Sequence, residues 1–535
     1  MSDILFCAFY TLLFSAIIMR SKWFSAGTLN NKYFLGAFYL KLLFGLVLWY
    51  IYTHIYQNRS TSDIFKYYED SNVLFAALHT SAKDYLTMLT GIGDSSPYYQ
   101  DIYHHMNNWF NGYDSTLYYS SHFIIRVNAL FMLFSLGHYG VHVIFMCFIS
   151  FTGLTNFYKA FLPFLQEKSK LLFVAIFLFP SVILWSSGVL KEGFIWLGLG
   201  LSIYYFFKLI DSSHKSIGNI LYLIAYSLIG IIILFESKAY VLICIFPCFV
   251  AQLLINKITF CKARPIITYI IVLLLYIGSS ALPHILFNSV SPLKMIADKQ
   301  TDFNRLSRGG IYLSKIKDSS QYAFIPVKDS INILPLTPHA DSLLHQKGVQ
   351  YLVNNPFWYN EFKTRNKVPY MLRKGTPYSS FKIHTQDTIH LTASDSTPYC
   401  VYIYTETAKS GLFIQPIKPR LFCLLRNIPQ ALKIVMLLPY PWQLHSAMTA
   451  IYCAENLIIL LLMIAALFFI KKPKHADLVL FCLIYCLLML ILIGLVTPIF
   501  GGIERYKSVV IPFMFILLLL ITDTDKISQR FKLKK

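Results

Sequence analysis

Long apolar runs constrain this chain more than any other feature. They lie near residues 3–19, 33–55, 139–162, 171–187, 189–207, 217–235, 239–255, 265–285, 447–470, 476–499 and 508–522. Each has 15 to 25 residues, and about 20 apolar residues carry a helix across roughly 30 Å of hydrocarbon. A water-facing shell cannot cover so many runs here. Only 14% of the 535 residues are charged and 56% are hydrophobic, whereas an ordinary globular chain has about 25% charged residues. The expected fold is an all-α polytopic membrane protein with about eleven transmembrane helices. A cytosolic enzyme, a disordered chain and a small disulfide scaffold are excluded. A further apolar stretch, 123–136, is short, carries Arg126 and reads as a re-entrant or interfacial piece.

The placement of charge gives a direction. If the loops 20–34, 164–170, 208–217, 256–264 and 471–477 and the tail 523–535 are cytoplasmic, they hold 18 Lys/Arg and 5 Asp/Glu. The short opposite loops 187–193, 235–239 and 499–508 hold four basic and three acidic residues. Basic residues near span ends stay on the cytoplasmic side, so the expected N-terminus is outside and the C-terminus cytoplasmic. The net charge of +21 is then topology, and it points to membrane lipid as a partner rather than to nucleic acid. The N-terminus has no basic leader and no small-residue cleavage site, so the first run reads as a retained span and not a signal peptide.

Three units follow. Residues 1–285 form an N-terminal transmembrane bundle with an outer loop at 56–122. Residues 286–446 form an extracytoplasmic domain, and residues 447–535 form the C-terminal helices with a basic tail. Within 286–446, alternating runs at 381–385, 389–393, 399–406 and 411–415 suggest a small β-containing unit. The segment 427–442 reads as an amphipathic interfacial helix ended by Pro439 and Pro441 and anchored by Trp442. Of ten cysteines, Cys400 and Cys423 alone fall on the outer side, which allows one disulfide without establishing it.

The outer loop 56–122 has seven acidic and three basic residues, in a chain that is otherwise basic. In Thr61–Ser71, Ser62 can cap a helix starting near Asp63. Asp63, Tyr67 and Asp70 then share one face, with Glu69 beside Asp70. Paired carboxylates in unlike surroundings divide acid and base roles or share a divalent cation; the plain alternative is a solvated acidic loop. The aromatic residues from Tyr98 to Tyr119 form an interfacial belt or a sugar-stacking surface. His104 and His105 are adjacent and lack the spacing of a metal pair, so they carry no metal assignment, and a divalent cation at the carboxylates stays open.

Charges at span ends need a reason. Pro180 should kink the fourth run, and Lys191 and Glu192 follow it; they form a local ion pair, or Lys191 holds a phosphate. Arg505 and Lys507, after the Gly501–Gly502 turn, lie on the outer side against the charge trend. They suit an anionic headgroup, since arginine contacts phosphate in bidentate fashion, or else pair with Glu504. Arg126 is a third candidate for the same role. Glu236 and Lys238 flank the outer end of the sixth run, and Glu455 lies inside the ninth.

Acidic residues in the first long outer loop of a many-helix chain resemble the layout of GT-C-type membrane glycosyltransferases. Asp63 and the Glu69–Asp70 pair occupy the place where that family keeps its catalytic acids. The chain also looks like a group of bacterial multi-span membrane proteins. The shared stretches are Pro-Ser…Trp-x-Ser-Gly…Lys-Glu at 180–192, Gly…Thr-Pro…Gly…Arg-Tyr-Lys at 494–507 and Ile-Pro-Gln-Ala…Pro-Tyr-Pro-Trp…Glu-Asn at 428–456. The resemblance implies a polyprenyl-phosphate-linked sugar donor, an aspartate base and the bacterial inner membrane. Two other classes stay open: an O-antigen-type polysaccharide polymerase that relies on Arg and His, and a non-enzymatic lipid-linked sugar flippase or envelope complex subunit.

Overall fold

The computed structural model describes residues 2–55, 62–104, 106, 108–109, 120–211, 216–280, 291–308, 410–412, 414–444, 446–524 and 526. Between 310 and 408 it describes seven short strands together with residues 374–375 and 408. In the N-terminal half the helices are α1 (Ser2–Arg20), α2 (Asn31–Tyr50), α3 (Asp63–Ala77), α4 (Ala82–Thr90), α5 (Pro97–His104), α6 (Ser121–Ser135), α7 (Tyr139–Phe161), α8 (Ser169–Phe177), α9 (Pro180–Trp185), α10 (Lys191–Ile210), α11 (Ile217–Lys257), α12 (Thr259–Ala263) and α13 (Pro265–Ser280). They are followed by α14 (Pro292–Arg308), α15 (Leu421–Leu437), α16 (Ala447–Phe468), α17 (Ala476–Val496), α18 (Phe500–Lys507) and α19 (Ile511–Ile521). Seven of these, α1, α2, α7, α10, α11, α16 and α17, are long and apolar enough to cross a membrane.

Helix α11 joins two of the expected runs. Its backbone leaves the helical region at Lys238 (φ −155°, ψ 90°). Before the break it runs back along α10, with Tyr222 and Tyr226 beside Tyr205 at 5.7 and 4.9 Å between ring centres. After the break it returns, bringing Phe249 to 4.7 Å from Phe206. The Lys238 turn therefore sits at the end where α10 begins. The run 171–187 is not one straight helix. Pro180 has no N–H to continue α8 and instead opens α9. The run at 508–522 yields an eleven-residue helix, α19, and the last part of 265–285 falls outside the described residues.

Small residues let the central helices touch. A Cβ on Gly200 would lie 2.0 Å from the Gly153 carbonyl oxygen, so α7 and α10 meet backbone to backbone. Around this crossing, Phe34, Phe38, Phe151, Phe157, Tyr158 and Phe161 are fully buried.

The described residues of the basic loops gather at one end of the bundle. There Thr28 meets Ser169 at 3.1 Å, the Lys168 amine donates to the Leu519 and Thr522 carbonyls at 2.7 Å each, and Gln252 donates to Asp477 at 2.6 Å. Helix α3, the start of α10, the Lys238 turn and α18 occupy the other end.

The strands are β1 (Gly310–Lys315), β2 (Gln321–Ile325), β3 (Ile333–Pro335), β4 (Pro369–Leu372), β5 (Pro377–Lys382), β6 (Ile389–Thr392) and β7 (Tyr399–Thr405). They form one sheet in the order β3-β4-β7-β1-β2-β5-β6, antiparallel at every pairing. The expected 389–393 and 399–406 strands are β6 and β7. The 381–385 strand lies earlier, as β5. The described residues of 411–415 form no strand; Gly411 makes an isolated bridge to Ile499 instead. Near it, the Gln300 side chain of α14 donates to the Leu495 carbonyl at 2.8 Å and accepts from the Ile417 N–H at 2.7 Å, which ties this region to the end of α17.

The amphipathic helix starts six residues before its expected position, at Leu421, and runs through Pro429. Ala431, Ile434 and Val435 are buried, whereas Leu421, Phe422 and Leu425 are exposed, as is Trp442 beyond it. Cys423 on this helix is a free thiol.

Candidate functional site

Helix α3 begins at Asp63 as its sequence suggests. Ser62 occupies the N-cap position with extended backbone, but its hydroxyl makes no capping hydrogen bond. Tyr67 and Asp70 are buried on the face that follows Asp63, while Glu69 is half-buried and points off it.

Arg505 is the hub of the site. It reaches Asp63, 442 residues away in sequence, with Nη1 donating to Oδ2 at 2.7 Å. Its Nε lies 2.8 Å from Glu192 Oε1. That N–H is not aimed along the contact, so this is a charge contact rather than a straight hydrogen bond. Glu192 Oε1 also accepts from the Lys238 amine at 2.8 Å. The result is a chain of ion pairs, Asp63–Arg505–Glu192–Lys238, assembled from α3, α18, the first turn of α10 and the break in α11. Glu192 is fully buried and Arg505 and Lys238 nearly so, while the Asp63 side chain is 38% exposed. The chain thus opens outward at Asp63.

Aromatic and hydroxyl groups line this path. The Lys238 amine sits 3.8 Å from the centre of the Tyr506 ring, and the Arg505 guanidinium 5.9 Å from that of Trp185. Such faces attract desolvated cations. Lys191, beside Glu192, donates to the Ser120 and Ser121 hydroxyls at 2.8 and 3.0 Å and lies 5.4 Å above the Tyr67 ring. Burial alone would raise the Asp63 carboxyl, but the Arg505 and Lys66 charges beside it hold it below its ordinary value of 3.8. Asp63 is therefore an anion at neutral pH.

Of the residues singled out from the sequence, Asp63, Tyr67, Lys191, Glu192 and Arg505 come together. Asp70 lies elsewhere: it is 1% exposed and accepts the Asn108 N–H at 2.7 Å, which pins the following segment onto α3. Glu69 is not in the ion chain. Arg126 pairs with Asp94 at 3.0 Å, donates to the Met88 carbonyl at 3.0 Å and lies against Trp109. Lys507 faces away from Arg505, pairing with Glu504 at 2.7 Å and donating to Asn456.

Lys41 was not legible as part of this region. It is the single lysine inside the run 33–55, a departure that the cost of buried charge flags. Its amine donates to the hydroxyls of Ser186 and Ser187. Ser150 and Cys147 donate to the carbonyls of the same two residues at 2.7 and 3.1 Å. Together they fix the turn that leads into Lys191 and Glu192.

Among the described residues no three His, Cys, Asp or Glu side chains are grouped as metal ligands. The two carboxylates of the ion chain already face cations, so this donor set does not suit a divalent metal. What the arrangement offers is a half-exposed carboxylate held in its basic form next to a guanidinium, with two ammonium groups behind it. No family model, no curated protein and no solved structure matches the chain. The seven long apolar helices suit a multi-pass membrane protein in contact with lipid.

Proposed function

We propose that this protein is a membrane-embedded glycosyltransferase. It moves a sugar from a polyprenyl-phosphate-linked donor to an envelope acceptor at the outer face of the bacterial inner membrane. The observation that carries this reading is the contact of Asp63 with Arg505 and of Arg505 with Glu192 at the end opposite the basic loops. The charge rule assigns the basic end to the cytoplasm, so the Asp63 end faces out.

The chemistry needs an anion-binding cation and a base at one spot. The acceptor hydroxyl oxygen bonds to the anomeric carbon of the sugar, and the bond from that carbon to the phosphate oxygen breaks. The polyprenyl phosphate leaves with the electron pair, and Arg505 and Lys191 stabilise its charge. The acceptor proton passes to Asp63. Arg505 suits the phosphate because its Nη2 makes no hydrogen bond among the described residues, and a guanidinium can hold a carboxylate and a phosphate oxygen at once. Glu192 and Lys238 keep the guanidinium oriented.

The test is sugar transfer in membrane vesicles supplied with a labelled polyprenyl-phosphate sugar, together with the surface glycan of cells that depend on this gene. Asp63→Asn should lower transfer about 100- to 10,000-fold, the usual contribution of a positioned base, at unchanged protein level. Full activity in this variant refutes the reading. Loss on Arg505→Ala with tolerance at Asp63 favours the polymerase.

A further inference from the structure

A second buried charge cluster lies on the opposite side of α18, and it does not depend on the reading above. We propose that Glu455 and Glu504 form a proton-binding site that holds one exchangeable proton inside the helix bundle.

The members come from three elements. Glu455 and Asn456 lie on α16, Glu504 and Lys507 on α18, and Ser181 at the start of α9. The side chains of Glu455, Glu504 and Lys507 are 1–2% exposed. Glu504 Oε1 accepts from the Lys507 amine at 2.7 Å, and Lys507 also donates to Asn456 Oδ1. Glu455 Oε1 accepts the Ser181 N–H at 2.8 Å. The second oxygens, Glu455 Oε2 and Glu504 Oε2, are both buried without a hydrogen-bond partner.

Charge counting decides what completes the site. Two carboxylates against one ammonium leave one negative charge uncompensated, and an unpaired buried ion is strongly disfavoured. Among the described residues the neighbouring elements bring no second cation: Lys41 of α2 is bound to Ser186 and Ser187 beyond the far end of α9, and Arg505 on α18 is taken by Asp63 and Glu192. Helix α19 is apolar throughout, α9 contributes a neutral serine, and Arg426 and Lys433 of α15 lie on its exposed face. The Lys507 ammonium occupies the Glu504 Oε1 and Asn456 side, which leaves little reason for a metal cation to enter. A proton balances the charge and satisfies an orphaned oxygen. Lys507 compensates Glu504, so the proton belongs on Glu455, whose Oε2 receives it.

Infrared difference spectroscopy of the full-length protein in lipid nanodiscs tests this through the carboxylic-acid C=O stretch. The count predicts one such absorption from this cluster in the wild type, recognisable by its shift in D2O. It should be absent in Glu455→Gln. It should also be absent in Glu504→Gln, where Glu455 becomes the counter-ion of Lys507. In Lys507→Met both carboxyls must be neutral, and a second absorption should appear. A spectrum unchanged by Glu455→Gln, or an absorption that persists in Glu504→Gln, overturns the proposal. So does loss of the wild-type absorption when sodium is raised at constant pH, which would assign the site to a metal cation.

Discussion

Replacing Glu192 with glutamine probes the ion chain at its most buried link. Glu192 is fully buried and faces two cations, Arg505 Nε and Lys238 Nζ, each at 2.8 Å. Removing one partner of a buried ion pair costs about 3–5 kcal/mol, because the remaining charge is left without compensation. Arg505 keeps Asp63 at 2.7 Å, so most of the loss falls on Lys238. Lys238 retains the face of Tyr506 at 3.8 Å, and a desolvated cation–π contact contributes about 2 kcal/mol. The low end of the range is therefore expected, about 3 kcal/mol, read as the shift in unfolding free energy on SDS titration in mixed micelles. Adding Lys238→Met removes the stranded ammonium, and the double variant should recover more than half of the loss. A Glu192→Gln cost below about 1 kcal/mol, or a double variant no better than the single one, would show that Lys238 does not depend on Glu192. The chain of ion pairs would then be wrong at that link.

Four further outcomes are expected. Gly200→Ala should destabilise the protein by about 3 kcal/mol or more in the same titration, because its Cβ would meet the Gly153 carbonyl at 2.0 Å and backbone cannot yield as a side chain does. Gly36→Ala, with open space around it, should stay within about 0.5 kcal/mol of wild type. The Asp63 carboxyl is held below 3.8, so its pairing with Arg505 is complete at neutral pH and is lost only as pH falls below that value. The thermal midpoints of wild type and Asp63→Asn should differ by a constant amount from about pH 5 to 8 and converge under stronger acid; convergence already at neutral pH would contradict the pairing. In intact cells, a membrane-impermeant maleimide should label Ser95→Cys and not Lys472→Cys, both at exposed positions of a cysteine-free background; the reverse pattern would invert the orientation.

Several features of this chain are set by local sequence. Apolar runs of sufficient length form helices wherever they occur, since backbone polar groups in hydrocarbon must be satisfied within the segment. Pro180 interrupts its run because it lacks an N–H, and β6 and β7 fall where apolar and polar residues alternate. The helical start at Asp63 and the gathering of the basic loops at one end follow from equally local signals. What tertiary structure alone decided is which charges meet. Asp63, Glu192, Lys238 and Arg505 each draw notice singly in the sequence, but no spacing rule joins residues that lie 46 to 442 positions apart. Packing of α3, α10, α11 and α18 sets Arg505 against Asp63 and Glu192 while turning Lys507, two residues on, toward Glu504. The same packing commits Arg126 to Asp94 and Asp70 to the Asn108 backbone, although both had the composition of site residues. Electrostatic roles of this kind depend on distance and burial, which a one-dimensional pattern does not encode.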